Sequence, residues 1–151
     1  MPLLAVLLLL GARGGAPDRL ASYEAVLAVL TEGRQVRAVL DYPECVLRVG
    51  ETTMRPPESS AGLTFGAWEA FARGAVGNER AYLTVSETRM VAQAKRGHVW
   101  NYLRLRLYDD GEVELIARNI LPSDFSVIMD NSFACALDPG TGKGGVSFFT
   151  D

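Results

Sequence analysis

The sequence VWNYLRLRLYDDGEVELIARNIL, residues 99–121, contains two alternating segments on either side of one turn. Apolar and polar residues alternate in Val99–Tyr108 and again in Glu112–Leu121, which is the two-residue period of half-buried strands. Between them, Asp109-Asp110-Gly111 is typical of a three-residue hairpin loop with its glycine in the left-handed conformation. This stretch therefore predicts an antiparallel hairpin.

The apolar residues select the register of this hairpin. A three-residue loop places Leu107 opposite Val113, whereas a two-residue Asp110-Gly111 loop would place Leu107 opposite Glu114. A slip of one residue moves every side chain to the other face, so the better apolar match decides the register. We therefore expect a core face made of Leu103, Leu105, Leu107, Val113, Leu115 and Ala117.

The opposite face of the hairpin is a candidate binding surface. It carries aromatic side chains beside guanidinium groups, and this combination favours planar or anionic partners through stacking and bidentate hydrogen bonds. An outer sheet surface with ordinary cross-strand pairs, such as Arg106 with Glu114, is the alternative. The ligand-binding residues predicted on this face are Trp100, Tyr102, Arg104 and Arg118.

The rest of the chain predicts one helix and further strands. Leu20, Tyr23, Leu27 and Leu30 recur at three- and four-residue spacing, which predicts an amphipathic helix over about residues 18–31. A proline- and serine-containing segment, 51–61, is expected to be an exposed loop. The predicted strands are 36–42, 63–71, 81–93, 99–108, 112–121, 125–128, 132–137 and 146–150, with a short helix as the alternative for 63–71.

This order of elements predicts the fold class. One helix followed by six to eight strands with mostly short connections indicates a mainly β, α+β fold. We expect an antiparallel meander that curls into an open half-barrel or closes into a barrel. The length of 151 residues suits one domain, 17–151, after a signal peptide over 1–16.

The signal peptide is predicted from the amino-terminal residues. The nearly unbroken aliphatic run Leu3–Leu10 is too short for a bilayer, which needs about 20 residues. It fits the apolar region of a secretory signal, with Gly14 and Ala16 at the cleavage positions. An uncleaved apolar tail is the alternative. We therefore expect a secreted, extracellular protein without a membrane span.

The expected compartment bears on the redox state of the two cysteines, Cys45 and Cys135. In a secreted protein an even pair favours one disulfide, with two free thiols as the alternative. The bridge would close a loop of about 90 residues and contribute about 4 kcal/mol in the chain-entropy model. It would tie the first strand to the next-to-last strand.

Composition and single residues argue against several function classes. The net charge of −3 does not favour nucleic acid as a partner. One histidine, His98, and two paired cysteines supply too few ligands for a zinc site, so no metal or cofactor is expected. Gly140-Thr141-Gly142-Lys143-Gly144-Gly145 lacks the Gly-Lys-Ser/Thr ending of a phosphate loop. Sequence spacing alone does not assign Glu69 and Glu87 as the catalytic carboxylate pair of a glycoside hydrolase.

Several short motifs together resemble the secreted VirK-like family. They are L-x-x-G-x-x-V-R-x-V-x-D-Y-x-x-C over 30–45, Ser86-Glu87-Thr88, R-x-R-x-Y-x-D-G-x-V over 104–113, Phe133-x-Cys135 and Phe148-Phe149. The resemblance covers nearly all of the expected mature chain. It implies a small exported β-rich domain and does not imply an activity.

The function expected from these observations is that of a secreted, non-enzymatic binding domain. Its curved sheet would hold a small apolar or anionic ligand, or a protein partner, on the face with Trp100 and Arg104. The alternative is a secreted structural or interaction protein without a small-molecule ligand. A hydrolytic enzyme is the third possibility, disfavoured by the scarcity of histidine.

Overall fold

A computed structural model describes residues 16–151. The predicted signal peptide lies almost entirely outside these described residues. Helix α1 is Tyr23–Thr31, and a 3₁₀ turn spans Tyr42–Glu44. The strands are β1 Asp18–Leu20, β2 Val36–Asp41, β3 Val46–Val49, β4 Thr52–Met54, β5 Ser60–Thr64, β6 Trp68–Phe71, β7 Tyr82–Gln93, β8 Gly97–Tyr108, β9 Glu112–Ile120, β10 Val127–Leu137 and β11 Gly145–Thr150.

The fold is mostly β, with a curled half-barrel sheet. Eight strands follow one another in the order β5-β2-β11-β10-β9-β8-β7-β6, and β1, β3 and β4 pair with strands of this path. Within residues 16–151, β5 and β6 end the path without pairing to each other. Of the two predicted forms, the open half-barrel is therefore the one that the chain adopts.

The central hairpin has the predicted register. Leu105 pairs with Leu115 and Leu107 pairs with Val113. All four side chains have no exposed surface. Gly111 has a φ of +85°, and its N–H donates to the carbonyl oxygen of Tyr108 at 3.0 Å, as the three-residue loop requires. The apolar alternation was sufficient to fix this part of the sheet.

The prediction of an antiparallel meander is correct only for strands β6 to β10. Strands β10 and β11 pair in parallel, through Ala136 with Gly145 and Leu137 with Val146. Strand β11 then pairs with β2, from the opposite end of the chain. The connection between β10 and β11 is unusually short for a parallel pair, which is why a meander was the simpler prediction.

Other boundaries also differ from the prediction. The expected amphipathic helix over residues 18–31 is not confirmed, because Asp18–Leu20 is strand β1 and the only helix in the described residues has nine residues. The expected loop 51–61 contains β4 and the start of β5. The two short strands expected over 125–137 form one strand, β10, with an irregularity between Val127 and Met129.

The predicted disulfide between Cys45 and Cys135 is confirmed. One edge of β10 pairs with β3 at Ser132–Ala134 and with β11 at Ala136 and Leu137. Cys135 lies between these two pairings, and Cys45 directly precedes β3 rather than belonging to the first strand. The bond therefore fixes the corner at which β3 and β11 diverge from β10.

The core lies inside the curled sheet and is closed by the helix. Val26 and Leu30 of α1 are buried among the inward side chains of the strands. The largest fully buried side chains are Phe148, Leu40, Leu63, Leu83, Leu105, Leu107 and Leu115. The opposite face of β7, β8 and β9 is thereby left free of the core.

Candidate functional site

The candidate site lies on the face of β7 and β8 that points away from the core. Register places Arg106 beside Thr84 of β7 and Glu114 of β9, and Arg104 beside Ser86 and Ile116. These residues share one face because side chains at every second position of a strand point the same way. Two arginines therefore stand in line along β8.

Strand β6 supplies the wall of a cleft beside these arginines. Phe71 of β6 pairs with Tyr82 of β7, and their rings stack with centroids 4.9 Å apart. The cleft has a volume of about 500 Å³. It is lined by Ala67, Trp68, Glu69, Phe71, Tyr82, Thr84, Val85, Ser86, Tyr102, Arg104 and Arg106.

Both arginines are held in place by neighbouring side chains. Arg104 Nη2 donates to Glu114 Oε1 at 3.1 Å, and Arg106 Nη1 donates to the Tyr108 hydroxyl at 3.3 Å. The Arg106 guanidinium carbon lies 4.4 Å from the centre of the Tyr82 ring. This distance is within the range of a cation–π contact.

Each arginine nevertheless keeps one buried donor without an acceptor. Among the described residues, the Nε atoms of Arg104 and Arg106 are the buried side-chain nitrogen or oxygen atoms that lack a hydrogen-bond partner. Buried polar groups are almost always paired, so two such donors on adjacent outward positions of one strand require an explanation. They are the strongest chemical feature of the cleft.

The turn beside the cleft is organised by a third arginine. Arg80 Nη1 donates to Asp110 Oδ2 and to Glu112 Oε2, each at 2.7 Å, and its guanidinium lies 3.8 Å from the Tyr108 ring centre. The backbone N–H of Glu112 and then Arg80 lower the pKa of Asp110. The carboxylates of Asp110 and Glu112 are therefore already paired with Arg80 of the same protein.

The predicted site residues divide into two groups. Tyr102 and Arg104 line the cleft, whereas Trp100 and Arg118 lie farther along the same face. Arg118 Nε donates to Asp130 Oδ1 at 2.9 Å, and Trp100 lies between Met90 and Ile120. Sequence reasoning placed Arg106 on this face without choosing it, and it missed Phe71 and Tyr82.

A larger hollow of about 590 Å³ lies where the start of α1 approaches the β8–β9 turn. Its lining includes Glu24 and Asp109 as well as Asp110 and Glu112, the two carboxylates that hold Arg80. Burial, followed by the charge of Asp109, raises the pKa of Tyr23 at this point. Because this hollow lacks unpaired buried donors among the described residues, we place the candidate site at the arginine cleft.

The glycine-rich turn is closed on itself. The backbone N–H groups of Gly140, Thr141 and Gly142 donate to Asp138 Oδ1 at 2.9, 2.7 and 3.1 Å. A phosphate loop would need these donors for its ligand. Because the Asp138 carboxylate already occupies them, the turn does not offer a phosphate site.

The residues considered for catalysis do not meet in the cleft. His98 is exposed near the start of β8, four residues before Tyr102. Glu69 pairs with Thr84, whereas Glu87 pairs with Leu103 of the core face, so the two carboxylates lie on opposite faces of the sheet. Within the described part of the chain, no helix has the length and apolarity needed to cross a membrane.

The fold and the cleft together define a small, mostly β domain with an open half-barrel sheet and an arginine-containing surface site. The family model described as VirK protein matches residues 19–125, more than half of the 151-residue chain. The chain therefore belongs to the VirK family. No curated protein matches the sequence.

A solved structure supports the fold. The chain is similar to a VirK family protein from Legionella pneumophila, known from a crystal structure, with a TM-score of 0.65. The sequences are 13% identical, and the match covers 87% of this chain and 98% of that chain. The similarity therefore extends over almost the whole domain.

Proposed function

We propose that this VirK family protein is an exported, non-enzymatic binding domain whose cleft takes a small anionic ligand. The observation that carries the proposal is the pair of buried, unpaired Nε–H donors on Arg104 and Arg106. The alternative, a structural or interaction protein without such a ligand, gives these donors no acceptor.

The energetics of a buried donor favour an anion. A buried N–H group without a partner costs about 1–3 kcal/mol, and a ligand oxygen that accepts from it removes that cost. Arginine presents its N–H groups in a planar fork that matches carboxylate, sulfate and phosphate oxygens. Because Arg104 and Arg106 lie two residues apart on one strand, one ligand can contact both.

The aromatic lining adds a preference for a ligand with a flat part. The Phe71–Tyr82 stack forms one side of the cleft, and Tyr102 adds further aromatic surface. Offset stacking and edge contacts with such rings favour planar groups. An aromatic or unsaturated carboxylate therefore combines the two features that this cleft recognises.

The arrangement of acid and base groups supports a binding role rather than catalysis. Glu69 is the only carboxylate among the described residues that line the cleft. General acid–base chemistry usually needs a second group within reach of the reacting atoms. Glu87 faces the other side of the sheet and pairs with Arg89 instead.

Export is supported by the cysteines and by the first residues of the sequence. A disulfide persists in extracellular or periplasmic compartments. Leu3–Leu10 has the character of a signal-peptide core. Mass spectrometry of protein secreted from a eukaryotic host tests this point. We expect a chain that starts near Pro17 and weighs two hydrogens less than its dithiol form.

Titration calorimetry with benzoate tests the binding function. We expect saturable binding of benzoate and weaker or absent binding of benzamide, which has the same shape without the charge. Arg106→Gln should weaken benzoate binding about tenfold, since it removes a charged hydrogen-bond donor. Arg118→Gln is the matched control, because Arg118 shares the face but lies outside the cleft.

Two results of this titration would reject the binding function. One is the absence of saturable binding of benzoate and of sulfate by the folded wild-type protein. The other is equal benzoate affinity in the wild type and in Arg106→Gln. Either result would favour the structural or interaction role.

A further inference from the structure

The far end of the sheet carries a second feature, separate from the arginine cleft. Register aligns four apolar side chains on the outward face across four neighbouring strands: Met90 of β7, Trp100 of β8, Ile120 of β9 and Val127 of β10. We call them the distal row. Met90 is 52% exposed and Val127 is 51% exposed. Strand spacing makes the row about 14 Å wide.

A strained and exposed aromatic residue precedes Val127 of this row by two positions. Phe125, in the loop between β9 and β10, is 75% exposed and has a φ of +59°, a left-handed conformation that bulky residues rarely adopt. The loop holds it there, because Phe125 N–H donates to the Leu121 carbonyl at 2.9 Å. Exposure of the ring and backbone strain both cost free energy in the isolated protein. This cost points to a role for Phe125 in contact with another molecule or surface.

Unpaired cations lie at the same end of the sheet. The turn that joins β7 to β8 contains Lys95 and Arg96, both exposed, which line a hollow with Asn119 of the inner face. Trp100 and Met90 pair on the outward face at the same end. Within residues 16–151, neither cation has a carboxylate within salt-bridge distance. Of the nearby acidic groups, Asp130 pairs with Arg118, whereas Asp124 accepts only from the uncharged Ser126 among the described residues and keeps its negative charge. The two cations therefore outnumber one uncompensated carboxylate at this end.

We infer that this end of the domain binds the surface of an anionic lipid bilayer, with Phe125 and the distal row entering the interface and Lys95 and Arg96 contacting headgroups. Aromatic and aliphatic groups flanked by lysine and arginine are the pattern of interfacial membrane binding. The chain as a whole has a net charge of −3, so attraction to an anionic surface requires these local cations.

The shape of the feature favours a bilayer over an acidic protein. Phe125, the most exposed of the large apolar residues, lies in the loop between β9 and β10, and the cations are in the turn between β7 and β8. Protruding side chains of this kind enter a fluid interface without needing a complementary pocket. A protein partner would have to supply such a pocket for Phe125.

Vesicle binding tests the inference. The probes are vesicles of phosphatidylcholine alone and of phosphatidylcholine with one third phosphatidylglycerol, both at low salt. Partition is measured by co-sedimentation of the wild-type protein. Trp100 emission is followed in Trp68→Phe, which leaves Trp100 as the single tryptophan of the sequence. We expect partition to the anionic vesicles and a blue shift of Trp100 emission.

Two matched pairs of variants assign the effect to this end. Phe125→Asn keeps a residue that tolerates the left-handed conformation, and it should weaken partition about tenfold through loss of the inserted ring. Val76→Ser, at an exposed valine elsewhere, should not change it. Lys95→Glu should weaken binding to anionic vesicles severalfold, whereas Lys143→Glu in the glycine-rich turn should have little effect.

Three results would overturn the inference. They are no partition to anionic vesicles, unchanged partition in Phe125→Asn, and equal losses in Lys95→Glu and Lys143→Glu. If vesicles do not bind and Phe125→Asn instead abolishes self-association in sedimentation velocity, the end is an interface between two copies. None of these results depends on benzoate binding in the cleft.

Discussion

The Asp138 carboxylate and the Arg106 guanidinium differ in how many of their hydrogen-bonding atoms have partners within the protein. The side chain of Asp138 is 8% exposed, and its oxygens accept from three backbone N–H groups, two hydroxyl groups and Arg19. Arg106 is also partly buried, but its Nε–H has no acceptor among the described residues.

The difference separates a structural charge from the charge to which we assign ligand binding. Donors from the protein itself occupy the hydrogen-bonding positions of the Asp138 carboxylate. Its role is therefore to stabilise the loop between β10 and β11. Arg106 and Arg104 are oriented by Tyr108 and Glu114 and still retain a donor each. A buried donor that the fold leaves unpaired requires an explanation, and a bound ligand is the one that we propose.

Gly145→Ala should have the largest effect, because Gly145 begins β11 directly after the loop that Asp138 organises and lies against the disulfide. An added Cβ would lie 2.6 Å from Cys45 Sγ at a residue whose φ is +91°. Steric overlap and backbone strain together should cost about 3 kcal/mol or more in the free energy of unfolding. Urea denaturation measures this loss.

Gly142→Ala is the control for that change. Gly142 has a φ of +75°, but an added Cβ there meets nothing within 4 Å. Only backbone strain remains, at about 1–2 kcal/mol. Equal losses for the two variants would show that the close approach to the disulfide is unimportant.

Asp138→Asn should have the next largest effect. The amide group that replaces one oxygen would face the N–H groups of the loop or Arg19, which are also donors. We expect the melting temperature to fall by roughly 5 °C. Asp130→Asn is the control, since Asp130 is an exposed partner of Arg118 and its replacement should change the melting temperature little.

Acid should remove the contribution of Asp138 in the wild type. The N–H of Gly140 is the largest cause that lowers the pKa of Asp138 to about 2, assisted by Thr141, Gly142 and Ser147 and opposed by burial. The unfolded carboxyl titrates near 3.9, so the stabilisation is complete above that pH and is lost as the pH falls toward 2. The difference in melting temperature between wild type and Asp138→Asn should shrink over that interval. A difference that stays constant down to pH 2 would contradict this role.

Arg106→Gln should have the smallest effect on stability. It removes one contact with the Tyr82 ring and one weak hydrogen bond, but it also removes a buried unpaired donor. The free energy of unfolding should therefore change by less than about 1 kcal/mol. A loss as large as that of Asp138→Asn would mean that the arginine is structural and would weaken the comparison.

The sequence predicted the central hairpin because its determinants are local. Leucine and valine alternate with polar residues on both sides of Asp109-Asp110-Gly111, and only one register buries them together. The disulfide was predicted as well, since two cysteines leave one pairing. The VirK-like resemblance rested on motifs spread along the chain, and the family match confirms it.

The remaining errors concern pairings between distant residues. Asp18–Leu20 forms a strand because β11 offers it a partner about 130 residues later, which outweighs the helical spacing of Leu20. The parallel pairing of β10 with β11 depends on glycines at 144 and 145 that lie close against other segments of the same chain, at Ala136 and Cys45. No periodicity in the sequence reports such contacts.

Only part of the candidate site could be predicted from the sequence, because the rest depends on pairings between distant residues. Tyr102 and Arg104 could be chosen because they share a strand with the best-defined register. Phe71 joins them only through the pairing of β6 with β7, and the segment around it gave no clear alternation. The missing partners of Arg104 and Arg106 depend on side-chain positions in three dimensions, so no sequence pattern could indicate them.

Nuclear magnetic resonance of the arginine side chains tests the central claim most directly, because it observes the two unpaired donors themselves. In protein labelled with ¹⁵N-arginine, the Nε–H signals of Arg104 and Arg106 are assigned with Arg104→Lys and Arg106→Lys, and benzoate is then titrated. We predict saturable shifts of both signals, with the Nε–H of Arg118 unchanged because it already donates to Asp130. Unchanged Arg104 and Arg106 signals, or a shift confined to Arg118, would contradict the assignment of the cleft as an anion-binding site.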